Sequence, residues 1–507
     1  MPPFPLSSLN NRMDPPSPPP AAITVAPHTF LSVLPHILLL LVVTLGYFPP
    51  PFRGRGLLFV VIVTILQWQC FAAPWPANDG DTRAARYGLG SAWLIILPVA
   101  ERLLINTPER DFWRVGSDED LAQPQRQQQQ GNDTKRSKDA PREFSLGKIW
   151  YSLVLFSTPR AIGWNFGTRR LNAERIEKMK TRRAVEQQEK DDENATVTTF
   201  PRAAFVATKF VRAFACYLVW DAIVLAERKA TFPANMQWAW DKDTLGQIAW
   251  LDFLMLLTTY VGMTMQFELV AGVGVGLFLS QPEDWPPLFG DITTCSTIAA
   301  VWGKFWHQYI RQPCLGFSHF IIHKLHIPTH SRLAYLIHLV TAFFISAFFH
   351  CVAVGAMAPG FYPLKDVIRD FAIFFGLQPV GTMFERLVMD LFSQWRNKWN
   401  RKKGDAKKKQ QQQQQREDAA RTQASQEETS LLAAAQQVVI CGGERSGRGK
   451  YLRRVLSALF FRVVGYVWVV CWFYVTGWWF VRPYVGVGVV NWDLPYSILS
   501  KLLIPGK

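Results

Sequence analysis

Leu333-Ala334-Tyr335-Leu336-Ile337-His338-Leu339-Val340-Thr341-Ala342-Phe343-Phe344-Ile345-Ser346-Ala347-Phe348-Phe349-His350-Cys351-Val352-Ala353-Val354-Gly355-Ala356-Met357 carries no Lys, Arg, Asp or Glu. A helix rises about 1.5 Å per residue, so about 20 apolar residues cross a hydrocarbon layer about 30 Å thick, and this run is long enough. No water reaches the backbone there, and a helix satisfies its own N–H and C=O groups. The run therefore reads as a transmembrane helix. Its second half holds His350, directly after Phe348-Phe349. An imidazole in such surroundings is destabilising to keep and points to function.

Similar runs lie outward from this one. Thr29 to Phe48 and Gly56 to Pro74 contain no charged residue, and Ser457 to Phe480 contains only Arg462. Leu89 to Leu104, Ile149 to Phe166, Ala204 to Ala226 and Phe371 to Met389 are apolar but contain or end on charges. Gln247 to Ser280 exceeds one span, and its Asp252, Glu268, Gly272, Gly274 and Gly276 predict two short spans or a broken helix lining a polar cavity. The apolar stretch after residue 28 is longer than the roughly 7 to 15 residues of a signal-peptide core, so the first span is expected to be a retained anchor. The expected fold is all-α, a polytopic transmembrane helical bundle of about eight or nine spans with disordered polar loops.

The chain divides by composition. Residues 1–28 are a disordered Pro-rich N-terminus with nine prolines, followed by N-terminal transmembrane helices over 29–106 and a polar low-complexity loop over 107–146. An enzymatic core is expected over 147–393, a basic Gln-rich disordered loop over 394–455, and a C-terminal transmembrane helix and tail over 456–507. The polar insertions bury too little apolar surface to fold alone, although Arg169 to Arg202 reads as a charged helix. The mean hydropathy of only +0.04 reflects this mixture of two materials.

Charge and cysteine usage narrow the classes. Gln394 to Arg454 carries 15 Lys plus Arg against 6 Asp plus Glu, and so supplies nine of the formal net charge of +16. That excess fits cytosolic placement and attraction to anionic lipid, and no nucleic-acid motif competes with this reading. The seven cysteines, at 70, 216, 295, 314, 351, 441 and 471, form no CxxC pair and indicate neither a disulfide framework nor a zinc cluster. Asn132-Asp133-Thr134 and Asn194-Ala195-Thr196 are acceptor-like sequons that serve as tests of topology.

Membrane chemistry that uses histidine has a few recognisable forms. His319, His323 and His326 share a helix face by their i, i+4, i+7 spacing, and His330 follows. The chain has no His-His pair, however, and no acidic residue joins these four. Phe317 to Ile327 reads as an amphipathic interfacial helix ending before Pro328, so these histidines are expected to be structural and no metal is expected. HExxH, HxxxxD, HHxxxDG and GxSxG are all absent. An intramembrane histidine base remains. Acyl transfer from a thioester to an alcohol needs the hydroxyl proton removed as oxygen attacks, and a neutral imidazole with a pKa near ~6.5 suits that task.

Three elements carry a resemblance. They are Pro282-Glu283-Asp284-Trp285-Pro286-Pro287-Leu288-Phe289-Gly290, then Trp302-Gly303-Lys304-Phe305-Trp306-His307-Gln308 with Arg311, then Ser346-Ala347-Phe348-Phe349-His350. In order and spacing, residues 282–357 resemble the wax synthase domain, fungal type, of the membrane-bound O-acyltransferase superfamily. Upstream, Arg160-Ala161-Ile162-Gly163-Trp164 is similar to the family's Arg-Gly-Ile-Gly element, with Ala161 where Gly is frequent; Ala347 likewise stands where the family often has Gly.

The resemblance implies an O-acyltransferase that moves an acetyl or fatty acyl group from acyl-CoA to a lipophilic alcohol, sterol or terpenoid. The setting would be lipid or wax ester formation or secondary metabolism, at the endoplasmic reticulum membrane. No tightly bound cofactor is implied; acyl-CoA is a co-substrate. His350 matches the superfamily's intramembrane catalytic histidine and His307 its second polar site residue. His307 and Gln308 would meet the thioester carbonyl, Lys304 and Arg311 the phosphates of coenzyme A, and Trp306 and Ser346 complete the expected substrate-binding set. The alternative from another class is a polytopic transporter using Asp252, Glu268 and His350 as a polar pathway.

Overall fold

A computed structural model describes residues 30–72, 95–117, 141–156, 158, 160–191, 201–227, 242–357, 363–428, 446–487 and 497–499. Among the described residues every regular element is helical; one isolated antiparallel bridge joins Arg114 to Trp164. In chain order the helices are α1 (Phe30–Gly46), α2 (Arg55–Ala72), α3 (Ile96–Ala100, continued by a π-helical turn Glu101–Ile105), α4 (Pro108–Asp111), α5 (Leu146–Phe156) and α6 (Arg169–Asp191). Then follow α7 (Pro201–Glu227), α8 (Lys242–Gly276), α9 (Ile298–Ala300, continued by a π-helical turn Val301–Phe305), α10 (Arg311–Lys324), α11 (Arg332–Met357), α12 (Leu364–Glu428) and α13 (Ser446–Gly486).

Among the described residues three stretches are long and apolar enough to cross a membrane: Thr244–Gly276, Arg332–Gly355 and Leu459–Gly486. Their side chains are mostly not buried within the chain, and Phe344, Val270 and Val467 are exposed apolar groups that suit a lipid environment. Shorter apolar stretches lie at Ile37–Gly46, Arg55–Gln69 and Leu146–Phe156. These features mark an integral membrane protein.

Several sequence expectations need correction. Gln247 to Ser280 is neither two spans nor a broken helix, because α8 runs unbroken over 35 residues. Its Glu268 is held by Lys209 of α7 at 2.8 Å, and Gly272, Gly274 and Gly276 fall in its last turns, where Gly272 packs on Phe210 and Lys209. Ile149 to Phe166 is helical only to Phe156; beyond it the chain turns around the Arg160 element. In the expected span Leu89 to Leu104, only 95–104 are described, and they bury Glu101 and Arg102. Within the expected disordered loop over 394–455, residues 394–428 continue α12 as helix. Lys, Arg, Gln, Glu and Ala, all strong helix formers, make up most of this stretch; Gly404 is its single glycine and it has no proline. The N-terminal 1–28 segment, both sequons and Cys441 lie outside the described residues.

The residues group into two units, the first of 1–291, 305–379 and 472–507, the second of 292–304 and 380–471. In the first unit α1, α2 and α5 pack Leu39, Val43, Val63 and Leu155 around Trp164. Against this apolar cluster, Glu109 takes a two-pronged bond from Arg55, both arms 2.8 Å, and a third from Lys148 at 2.8 Å. Burial alone would push the Glu109 carboxyl up, but these cations hold it below the usual carboxylate range. Farther along, α7 packs on α8 through Ile223, Leu254 and Val261.

In the second unit a buried carboxylate organises the turn at the start of α9. Glu385 accepts from the backbone N–H of Ile298 at 2.6 Å and Ala299 at 3.2 Å, and from the Trp468 indole at 2.8 Å. Thr297 caps the same turn by accepting from the Ala300 N–H at 3.0 Å.

Candidate active site

His350 lies on α11 within an aromatic cage. Its Nδ1 stands 2.9 Å from the Tyr484 hydroxyl of α13. Phe375 of α12 stacks on the imidazole with centroids 5.0 Å apart and planes at 25°. Phe480 meets it edge-on at 5.2 Å, and Phe371 lies tilted at 5.5 Å. Phe371 and Tyr484 are 0% and 5% exposed, so the imidazole meets rings and one phenol on these sides. The repeating Phe and Tyr at helical spacing on α12 and α13 make this cage, since residues three and four apart share a face.

His307 follows the π-helical turn Val301–Phe305. The loop 282–290 seats against α8 through Phe267, Leu288 and Phe289, with Trp285, Phe305, Trp306 and Tyr309 packed on that cluster. The Gly290 N–H donates to the Phe305 carbonyl at 2.8 Å, which ties this loop to the turn before His307. The His307 ring is half-buried, but its Nδ1 is sealed from solvent and has no hydrogen-bond partner among the described residues. Burial pushes its imidazole down to about 4, so it is neutral near pH 7. His307 and His350 belong to the same unit of the chain.

The other expected site residues are placed as follows. Gln308 donates to the Trp306 carbonyl at 2.8 Å and accepts from Arg311 at 2.9 Å. Burial lowers the Arg311 guanidinium from its ordinary value, with Arg170 adding to the effect. Trp306 meets Phe289 edge-on at 5.4 Å. Ser346 donates to Ala342 of its own helix at 2.9 Å. Lys304 is exposed and belongs to the second unit.

Three of the other histidines, His319, His338 and His326, have structural settings. The ring of His319 meets that of His338 at 4.8 Å, and His338 Nδ1 lies 2.6 Å from the Ser318 hydroxyl. His326 has φ 53° just past the end of α10, where the Ile327 N–H reaches the Ile322 carbonyl and the His326 N–H reaches that of His323. This is a Schellman stop, a backbone role. Among the described residues no three His, Cys, Asp or Glu side chains cluster as metal ligands would.

Sequence reading missed the supports of the site. Arg160 donates to the carbonyls of Pro286 at 2.8 Å and Pro287 at 3.1 Å. Arg175 of α6 binds Asp284 at 2.6 Å, and Arg182 lies 3.4 Å from Glu283. The charged helix α6 thus holds the acidic pair of the 282–290 loop. Between them Gly163, at φ +76°, passes so close to Arg175 that a Cβ would lie 3.2 Å from its guanidinium. Arg482 of α13 binds Asp370 of α12 through Nε at 2.7 Å, and Asp370 is fully buried.

Residues 285–375 match the Membrane bound O-acyl transferase family. That segment contains His307, His350, Phe371 and Phe375. The chain is also 34% identical over 146 residues to the acetyltransferase ataH of Aspergillus terreus, covering 28% of this chain and 46% of the relative. It is 30% identical over 161 residues to the acetyltransferase TRI7 of Fusarium sporotrichioides, covering 32% and 34% respectively. Similarity to the acetyltransferase sirH of Leptosphaeria maculans is 22% over 299 residues, covering 57% and 64%. The chain thus spans less than two thirds of the length of each of these relatives. No solved structure matches it. The family match and these relatives support the membrane-bound O-acyltransferase superfamily and lend nothing to the transporter alternative, whose Glu268 is tied to Lys209.

Proposed function

We propose that the chain is a membrane-bound O-acyltransferase of the wax synthase type, acting on acyl-CoA and a lipophilic alcohol such as a sterol or terpenoid. The observation that carries this reading is His350, caged by aromatic rings in an apolar span and held at Nδ1, within the family-matched segment. The similar proteins are acetyltransferases by name, which favours acetyl over a fatty acyl group, and with it secondary metabolism. The protein would sit in the endoplasmic reticulum membrane with eight or nine spans, its basic segment after residue 394 toward anionic lipid, and would need no tightly bound cofactor.

In the proposed step, His350 Nε2 takes the proton of the acceptor hydroxyl as its oxygen bonds to the thioester carbonyl carbon. The carbon–sulfur bond breaks, and the departing thiolate takes the proton back from the imidazolium to give free CoA and the ester. His307, neutral and with an unpartnered buried nitrogen, is suited to donate to the carbonyl oxygen as charge develops there. Gln308 and Trp306 would line that side, Lys304 and Arg311 would meet CoA phosphates, and Ser346 keeps lone pairs for the acceptor hydroxyl.

Microsomes from expressing cells, given acyl-CoA donors of rising chain length and a panel of alcohols, test the reading by CoA release and ester formation. Acetyl-CoA-dependent ester above vector control is expected. No CoA release with any donor and alcohol would overturn it.

A further inference from the structure

We infer that Tyr484 is a positioning residue that holds the His350 ring by its Nδ1 edge and leaves Nε2 free for the acceptor, and that the Arg482–Asp370 ion pair holds the helical turn carrying Tyr484. This rests on the proposed role of His350 as base. A neutral imidazole has one N–H and one lone pair, and a phenol can accept from the first or donate to the second, so Tyr484 holds the ring in either tautomer while the base role requires the one with Nδ1–H. With the proton on Nδ1 donated to the Tyr484 oxygen 2.9 Å away, Nε2 keeps its lone pair and can accept a proton from the alcohol. The other tautomer would take a proton from the phenol at Nδ1 and present Nε2–H, which cannot act as a base.

The surroundings keep the ring in this orientation. Phe375 covers its face at 5.0 Å and Phe480 blocks its edge at 5.2 Å, so a ring flip would set a carbon against the phenol inside a packed cage. The phenol needs support of its own, because Pro483 directly precedes Tyr484 within α13. A proline inside a helix removes one backbone hydrogen bond and loosens that turn. Arg482, immediately before Pro483, reaches across to Asp370 of α12, and Asp370 immediately precedes the cage residue Phe371. The ion pair therefore fastens α13 at its weak turn to the same helix that supplies Phe371 and Phe375.

Full-length protein carrying 15N-histidine, purified in detergent, gives two readouts: the tautomer of His350 by NMR, and kcat and KM with an alcohol that the wild type esterifies. His350→Ala identifies the resonance. The wild type is expected to show protonated Nδ1 and unprotonated Nε2. Tyr484→Phe should give mixed tautomers and a kcat lower by about tenfold at unchanged KM, the worth of one hydrogen bond lost from the reacting geometry. Arg482→Met should shift both readouts in the same direction and Arg482→Lys should restore most of the loss. A wild-type His350 protonated at Nε2 would overturn the inference even if every variant failed to fold. So would a Tyr484→Phe enzyme within about twofold of wild type, with a single tautomer, alongside an inactive His350→Ala. Full activity of His350→Ala would instead overturn the base assignment and the inference with it.

Discussion

Arg160 and Pro286, 126 residues apart in sequence, are joined by a buried 2.8 Å hydrogen bond from guanidinium to carbonyl, with a second arm at 3.1 Å to Pro287. This joins the Arg-Ala-Ile-Gly element to the Pro-rich loop, two of the segments that carry the family resemblance. Burial pulls the Arg160 guanidinium down to about 10, which still leaves it charged near neutrality. Removing it strands two carbonyls, each worth about 1 to 3 kcal/mol when left unsatisfied. Arg160→Met is therefore expected to lower the melting temperature in detergent by several degrees and to depress ester formation. Arg160→Lys, with charge but no fork, should recover only part of either loss.

Ala161 adopts φ +51°, a left-handed conformation in which an alanine Cβ is strained. Glycine takes that conformation freely, which gives a physical reason for its frequency at this position in the family. Ala161→Gly is expected to stabilise the protein by about 0.5 to 1 kcal/mol, read as a small rise in melting temperature with unchanged turnover.

The sign of the pH effect at His307 follows from its burial. Folded, the imidazole stays neutral until about pH 4; unfolded, it takes a proton near the ordinary value of 6.5. Between these values the unfolded chain binds more protons, so this group's contribution to stability falls as pH drops from 6.5 toward 4. Melting of wild type and His307→Gln at pH 7.5, 5.5 and 4.5 checks this. The variant is expected to lose less stability on acidification than the wild type.

Lys209 and Glu268 form a buried pair at 2.8 Å between α7 and α8. Glu268→Gln leaves a buried ammonium without its counter-charge, which is expected to destabilise by about 3 to 5 kcal/mol. The double variant Lys209→Met, Glu268→Leu should recover most of that stability and retain ester formation, as suits a structural pair. Loss of turnover in a well-folded double variant would contradict a purely structural role for the pair.

Long charge-free apolar runs announce their helices directly, as 333–357 does. His350 was legible for the same reason, since a lone imidazole stands out against Phe and Ala. Tyr484 was not. It lies 134 residues away in a helix crowded with aromatics, and only the fold shows that its hydroxyl meets Nδ1. Asp370 and Arg482 were equally hidden, because pairing across helices leaves no local spacing signal. The charges of 247–280 suggested a broken helix because the sequence does not reveal that Lys209 neutralises Glu268. Residues 394–428 illustrate a conflict between composition and propensity, where a polar stretch unable to bury a core is still built from strong helix formers.

Turnover of His350→Ala and His350→Asn beside wild type, purified and reconstituted with labelled acetyl-CoA and an alcohol that the wild type esterifies, tests the central claim most directly. Loss of the base is expected to reduce ester formation by about 100-fold or more while both variants stay folded and monodisperse. Ester formation at the wild-type rate in either folded variant would contradict it.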